Sequence, residues 1–89
     1  MQDAYLGESF PVRFRCTDPE NPDAPIENPT CTVYLNGAVV QSGTMGVEGD
    51  VVSFRFEAER EGVHELVVAY TMAGNRWVTT HRISVRSPV

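Results

Sequence analysis

The sequence has no lysine: all seven basic residues are Arg, set against twelve Asp and Glu, for a net charge of -5. A chain this acidic lacks the dense positive face that phosphate neutralisation needs, which argues against a nucleic-acid partner. Cysteine is scarce as well. Cys16 and Cys31 are the only two, with fourteen residues between them, so neither a four-cysteine zinc site nor a CxxC redox pair can be built. No apolar run approaches the roughly 20 residues of a membrane-spanning helix, and none keeps helical periodicity over a helix-length window. The opening MQDAYLGESF has neither a basic start nor an apolar core, so it does not read as a signal peptide. Met1 and the ending at Val89 read as the bounds of one small gene product. No GxSxG, HExxH or comparable framework frames a nucleophile or a general base. The chain is therefore expected not to be an enzyme and to hold no cofactor and no metal.

What is present is alternation. From about Glu8 to Thr17, Phe10, Val12, Phe14 and Cys16 share one face and Arg13, Arg15 and Thr17 the other, which predicts a half-buried strand. Asp18 to Pro29 holds four of the six prolines and no periodicity, which predicts a stiff loop. Its acidic residues Asp18, Glu20, Asp23 and Glu27 lack the ligand spacing of an EF-hand and read as solvated. A second strand is predicted from Thr30 to Leu35, with Cys31, Val33 and Leu35 inward. Asn36-Gly37 then signals a type I′ hairpin, because both of its turn positions need positive φ. The return strand spans Ala38 to about Ser42, and GTMGVEGD reads as a loop.

Asp50 to Glu59 alternates cleanly, placing Val52, Phe54, Phe56 and Ala58 inward. Val63 to Met72 puts His64, Leu66, Val68 and Tyr70 inward, with Val67 and Ala69 making the outer face apolar too, as in a central strand. After Ala73-Gly74-Asn75, a last strand from Arg76 to Arg86 is predicted to turn Trp77, Thr79, His81, Ile83 and Val85 inward. Six short strands with turn signals between them predict an all-β sandwich. The expected division is an N-terminal arm (1–7), a sandwich domain (8–86) and a C-terminal tail (87–89).

GESFPVRFRC resembles the B strand of immunoglobulin-like domains, TVYLNGAVV a C strand turning into C′, and GDVVSFRFEAE strand E. EGVHELVVAYT resembles the E–F corner and F strand, where a tyrosine two residues after a glycine bonds back to the chain. His64 stands at that position here, and the resemblance implies that it braces the corner, since an imidazole can make a similar bond. The chain departs from antibody-type domains in three ways. Strand F has no cysteine, Val33 or Tyr34 stands where strand C usually carries tryptophan, and there is little room for a strand A.

The layout is most similar to small stand-alone Ig-like virion proteins of tailed bacteriophages. The shared features are the opening LGESFPVRFRCTD, the Pro-rich insert, the strand ending in Asn-Gly and a GxxxLxVxY strand. That resemblance implies a non-enzymatic structural or binding protein: capsid decoration, or an accessory of head, neck or tail, acting through protein–protein contacts. Its location would be the extracellular virion particle. Its partners would be subunits of the same particle and copies of itself, with no nucleic acid and no membrane. The alternative is a secreted or cell-surface adhesion or carbohydrate-binding Ig-like module of bacteria. The candidate interface residues are Tyr5, Leu6, Tyr34 and Trp77, with the N-terminal arm docking on a neighbour. Cys16 and Cys31 both face inward at one end of the sandwich. A disulfide between them and two buried free thiols both stay open at this point.

Overall fold

The computed structural model describes residues 1–88. Within them there is no helix, and eight strands form two sheets: β1 (Gln2–Tyr5), β2 (Ser9–Arg15), β3 (Ile26–Leu35), β4 (Ala38–Thr44), β5 (Gly46–Glu48), β6 (Val51–Glu57), β7 (Gly62–Met72) and β8 (Asn75–Arg86). The larger sheet has the order β1-β8-β7-β3-β4 and the smaller one β2-β6-β5. The protein is thus an all-β sandwich.

Alternation does the sorting. Val33 and Leu35 of β3, Val52 and Phe56 of β6, Leu66 and Val68 of β7, and Ile83 and Val85 of β8 fill the space between the sheets. Phe10, Phe14 and Phe54 pack against this core and stay partly exposed. The Asn36-Gly37 hairpin is present, with φ of 52° and 80°. Ala73-Gly74 joins β7 to β8 with nearly the same pair of angles, 50° and 80°. Ala73 carries a Cβ in a left-handed conformation that Asn or Gly adopts more easily.

Four readings of the sequence need correction. The first residues are not a patternless arm: β1 pairs in parallel with β8 from Gln2↔Ile83 to Tyr5↔Arg86, and Ala4 is buried. The chain then changes sheets, since Leu6 N–H donates to Arg86 O at 2.8 Å while Gly7 N–H donates to Ala58 O, also at 2.8 Å. Gly7, at φ +96°, allows the turn between them. Second, the end of the Pro-rich stretch is strand. Ile26 and Glu27 pair with Met72 and Thr71, and a bulge with Asn28 at φ 50° intervenes before Thr30 resumes the ladder.

Third, GTMGVEGD is not simply a loop: β4 runs to Thr44, Met45 is buried, and β5 pairs with β6. Fourth, Trp77 and Thr79 do not turn into the core, because β2 ends at Arg15 and the smaller sheet does not cover that end of β8. The whole stretch from Asn75 to Thr80 is exposed. The long β7–β8 hairpin stretches the molecule to 46 × 23 × 20 Å. Of the expected C-terminal tail, Ser87 and Pro88 lie beyond β8, and Val89 lies outside the described residues.

Candidate functional site

The corner is built from Gly62, His64 and Phe56. His64 is 1% exposed, and its Nδ1 lies 3.1 Å from Gly62 O, so Nδ1 carries the proton and donates. Its ring meets Phe56 edge-on at a centroid distance of 5.3 Å. Gly62 is favoured by its backbone, and any side chain there would also have to push the end of Leu35 aside. Its φ is +122°, and a Cβ there would stand 2.9 Å from Leu35 Cδ1. The imidazole is thus occupied in holding the chain where it enters β7, the kind of contact expected of a corner brace.

Cys16 and Cys31 belong to one core cluster and are unbridged. Burial pushes the Cys31 thiol up to about 11. It raises Cys16 as well, with the nearby charge of Asp50 adding to it. Neither is poised as a thiolate nucleophile.

Asp18 is the polar residue that sequence reasoning missed. The acidic loop pattern predicts a solvated side chain, yet Asp18 is 2% exposed. Its Oδ1 accepts from Glu20 N–H at 3.0 Å and its Oδ2 from Asn75 Nδ2 at 3.3 Å. Burial works to raise its pKa, but the hydrogen bonds from Asn75, Glu20 and Asn21 outweigh it and hold the carboxyl below the ordinary aspartate value. The carboxylate thereby ties the Pro-rich loop to the start of β8. Beside it, Pro19, Glu20, Arg76 and Trp77 border an open concavity of about 450 Å³. Among the described residues no group of three or more His, Cys, Asp or Glu is placed to hold a metal ion.

The four candidate interface residues do not gather in one patch. Tyr5 and Leu6 are exposed beside Arg86, while Trp77, 38% exposed, lies nine residues away on β8, roughly 30 Å along the strand. Tyr34 is half-buried on the outer face of β3, opposite Val39 of β4. Tyr5, Leu6 and Trp77 share a different feature, the β1–β8 margin of the larger sheet. On that side β1 covers β8 only from Ile83 to Arg86, leaving Asn75 to Arg82 paired with β7 alone among the described residues.

The other margins are protected. β2 carries Pro11, and β5 is three residues long. β4 is bent by a bulge, where Val33 pairs with Gln41 and Tyr34 with Val39. There the Gln41 side chain also crosses to the smaller sheet, donating to Glu57 O and accepting from Glu57 N–H. By contrast the β7–β8 register runs unbroken from Gly62↔Val85 to Met72↔Asn75, and β8 contains no proline.

No protein-family model matches the chain, and no curated protein matches it. Among solved structures it is similar to an engineered protein, with TM-score 0.77 and 14% identity over 96% of this chain and 18% of that one. It is also similar to a protein from Bacteroides vulgatus assigned as a glycoside hydrolase, with TM-score 0.61 and 14% identity over 99% of this chain and 17% of that one. The chain thus spans less than a fifth of either neighbour's length. At such identity the likeness is one of fold.

Proposed function

We propose that the protein is a non-enzymatic, immunoglobulin-like binding module of a tailed-phage virion, attached to capsid, neck or tail subunits through protein–protein contacts. The Ig-like reading is supported by strand neighbours: β2 beside β6, and β3 beside β7 beside β8, match the B–E and C–F–G neighbours of that class. The virion setting rests on the resemblance in layout. The observation that carries the binding reading is the uncovered β8 margin, a long edge of unbroken register with Trp77 and Val78 exposed on it. Sandwiches that stay monomeric blunt such edges, and edges left open are used for pairing. The test is to purify particles by density gradient from a lysate of cells carrying the gene and to identify the chain by mass spectrometry. Recovery in the particle fraction supports the reading. Its absence from particles that contain all other structural subunits overturns it.

One observation favours a second reading. Trp77 beside Asp18, Glu20, Asn75 and Arg76 combines an indole face with hydrogen-bonding groups at an open concavity, a pairing suited to sugars. A neighbour assigned as a glycoside hydrolase fits a carbohydrate-binding accessory module of a secreted or surface protein. Retardation in polysaccharide affinity gels that is lost in Trp77→Ala would favour this reading over the first.

A further inference from the structure

We infer that the open margin of β8, from Asn75 to Arg82, is the docking edge for an extended acidic strand of a partner protein. The inference rests on the binding reading above and specifies its chemistry. Half of the backbone N–H and C=O groups along a margin strand point away from the sheet and can receive a new strand. β8 already receives one. β1 lies against it in parallel, with Ala4 turned into the core opposite Val85 and Asp3 turned outward opposite Ser84. The Asp3 carboxylate reaches diagonally to Arg86, two residues further along β8, at 3.6 Å.

The same arrangement is set out again along the uncovered part. Arg82 stands two residues beyond Thr80, as Arg86 does beyond Ser84. A carboxylate opposite Thr80 would therefore stand to Arg82 as Asp3 stands to Arg86. Arg76, at the far end, is turned the other way, its Nη1 donating to Thr71 Oγ1 of β7 and Asn28 O of β3, so Arg82 is the charge that faces the uncovered part. Arg76, Arg82 and Arg86 lie on the outward face of this one strand; Arg86 is paired with Asp3, and Arg82, with Glu65 of β7 across from it, is the one placed to meet a carboxylate arriving at the uncovered part. Trp77, Thr79 and His81 face the opposite way; His81 is already taken up by the Phe14 ring and, at 2.8 Å, by Gln2 Oε1, so a partner residue directed to that side nearer the hairpin end meets the exposed indole. The occupant defined by these positions is an extended segment with carboxylates on one face and apolar side chains on the other. A second copy of β8 fits poorly, since it would bring arginines rather than carboxylates to the edge.

The test uses three synthetic nine-residue peptides: one alternating Glu and Val, one alternating Lys and Val, and the Glu–Val peptide N-methylated at alternate amides to prevent strand pairing. Binding to the whole protein is followed by amide chemical shifts and by titration. The expected result is that the Glu–Val peptide binds about two- to fivefold more tightly than the Lys–Val peptide, the range for exposed ion pairs, with shifts centred on residues 75–82. N-methylation should abolish binding, and Arg82→Glu should reverse the order of the two peptides. Equal affinity for the two charges, shifts centred elsewhere, or self-association of the free protein through β8 would overturn the inference. If the chain is recovered with particles while the peptides fail, the edge inference falls and the virion reading stands. Peptide binding without particle recovery would show the opposite.

Discussion

Removing the Phe56 side chain should take away a large share of the stability of this domain, whereas removing Phe54, two residues earlier on the same strand face, should take away much less. Phe56 is fully buried, tilted against Phe10 at 5.6 Å and edge-on to His64 at 5.3 Å. Truncating such a ring costs about 3–5 kcal/mol, a transfer contribution plus the cavity left behind. A domain of this size has roughly 4–13 kcal/mol in all. Phe54 faces the same core and is only partly buried, so about 1–2 kcal/mol is expected for Phe54→Ala, less than alternation alone would suggest. Urea unfolding separates them. With a slope near 1–1.5 kcal/mol per molar, Phe56→Ala should lower the midpoint by about 2–5 M and Phe54→Ala by about 0.7–2 M. Should Phe56→Ala fail to fold, Phe56→Leu gives the same ordering at smaller cost. Equal losses for the two truncations would refute the depth gradient along β6.

Other consequences are as direct. Ala73→Asn should raise stability by about 0.5–1 kcal/mol in thermal melts, because it relieves a left-handed alanine in the β7–β8 turn; a lower melting temperature would contradict the turn assignment. The Cys31 thiol titrates near 9.0 when unfolded and about 11 when folded, so unfolding releases its proton between those values. Its contribution is therefore intact below about pH 9 and lost as pH rises toward 11, by at most roughly 2–3 kcal/mol. Cys31→Val should flatten that part of the stability curve, and an unchanged slope would show the thiol to be less buried than described. Thiol counting without reductant should find two free thiols after denaturation and slow labelling before it, whereas a bridged pair would give none. His64→Tyr should keep or raise the melting temperature and His64→Ala should lower it; equal losses would refute the corner brace.

How much was legible in the sequence followed from how local each cause is. Alternation in Val51–Glu57 and Gly62–Met72 is a property of adjacent residues, so those strands and their core faces could be read directly. The same holds for Asn36-Gly37, whose turn geometry is set by two residues. β1 has no such signature. Gln2, Asp3, Ala4 and Tyr5 are held by pairing with residues some eighty positions away, as Asp18 is tied to Asn75. β5 is a three-residue strand that depends on β6 for its ladder. Trp77 shows a different limit: alternation tells which way a side chain points, and it does not tell whether a second sheet reaches far enough to cover it. The exposed half of β8, and with it the proposed docking edge, could be found only once both sheets were laid against each other.

Hydrogen exchange on the protein, free and attached to purified particles, shows whether a partner strand adds to β8 between Asn75 and Arg82. The expected result is new protection of the outward-pointing amides in residues 75–82, with the rest of the sandwich unchanged. Protection gained elsewhere while that stretch exchanges as fast as in the free protein would contradict it.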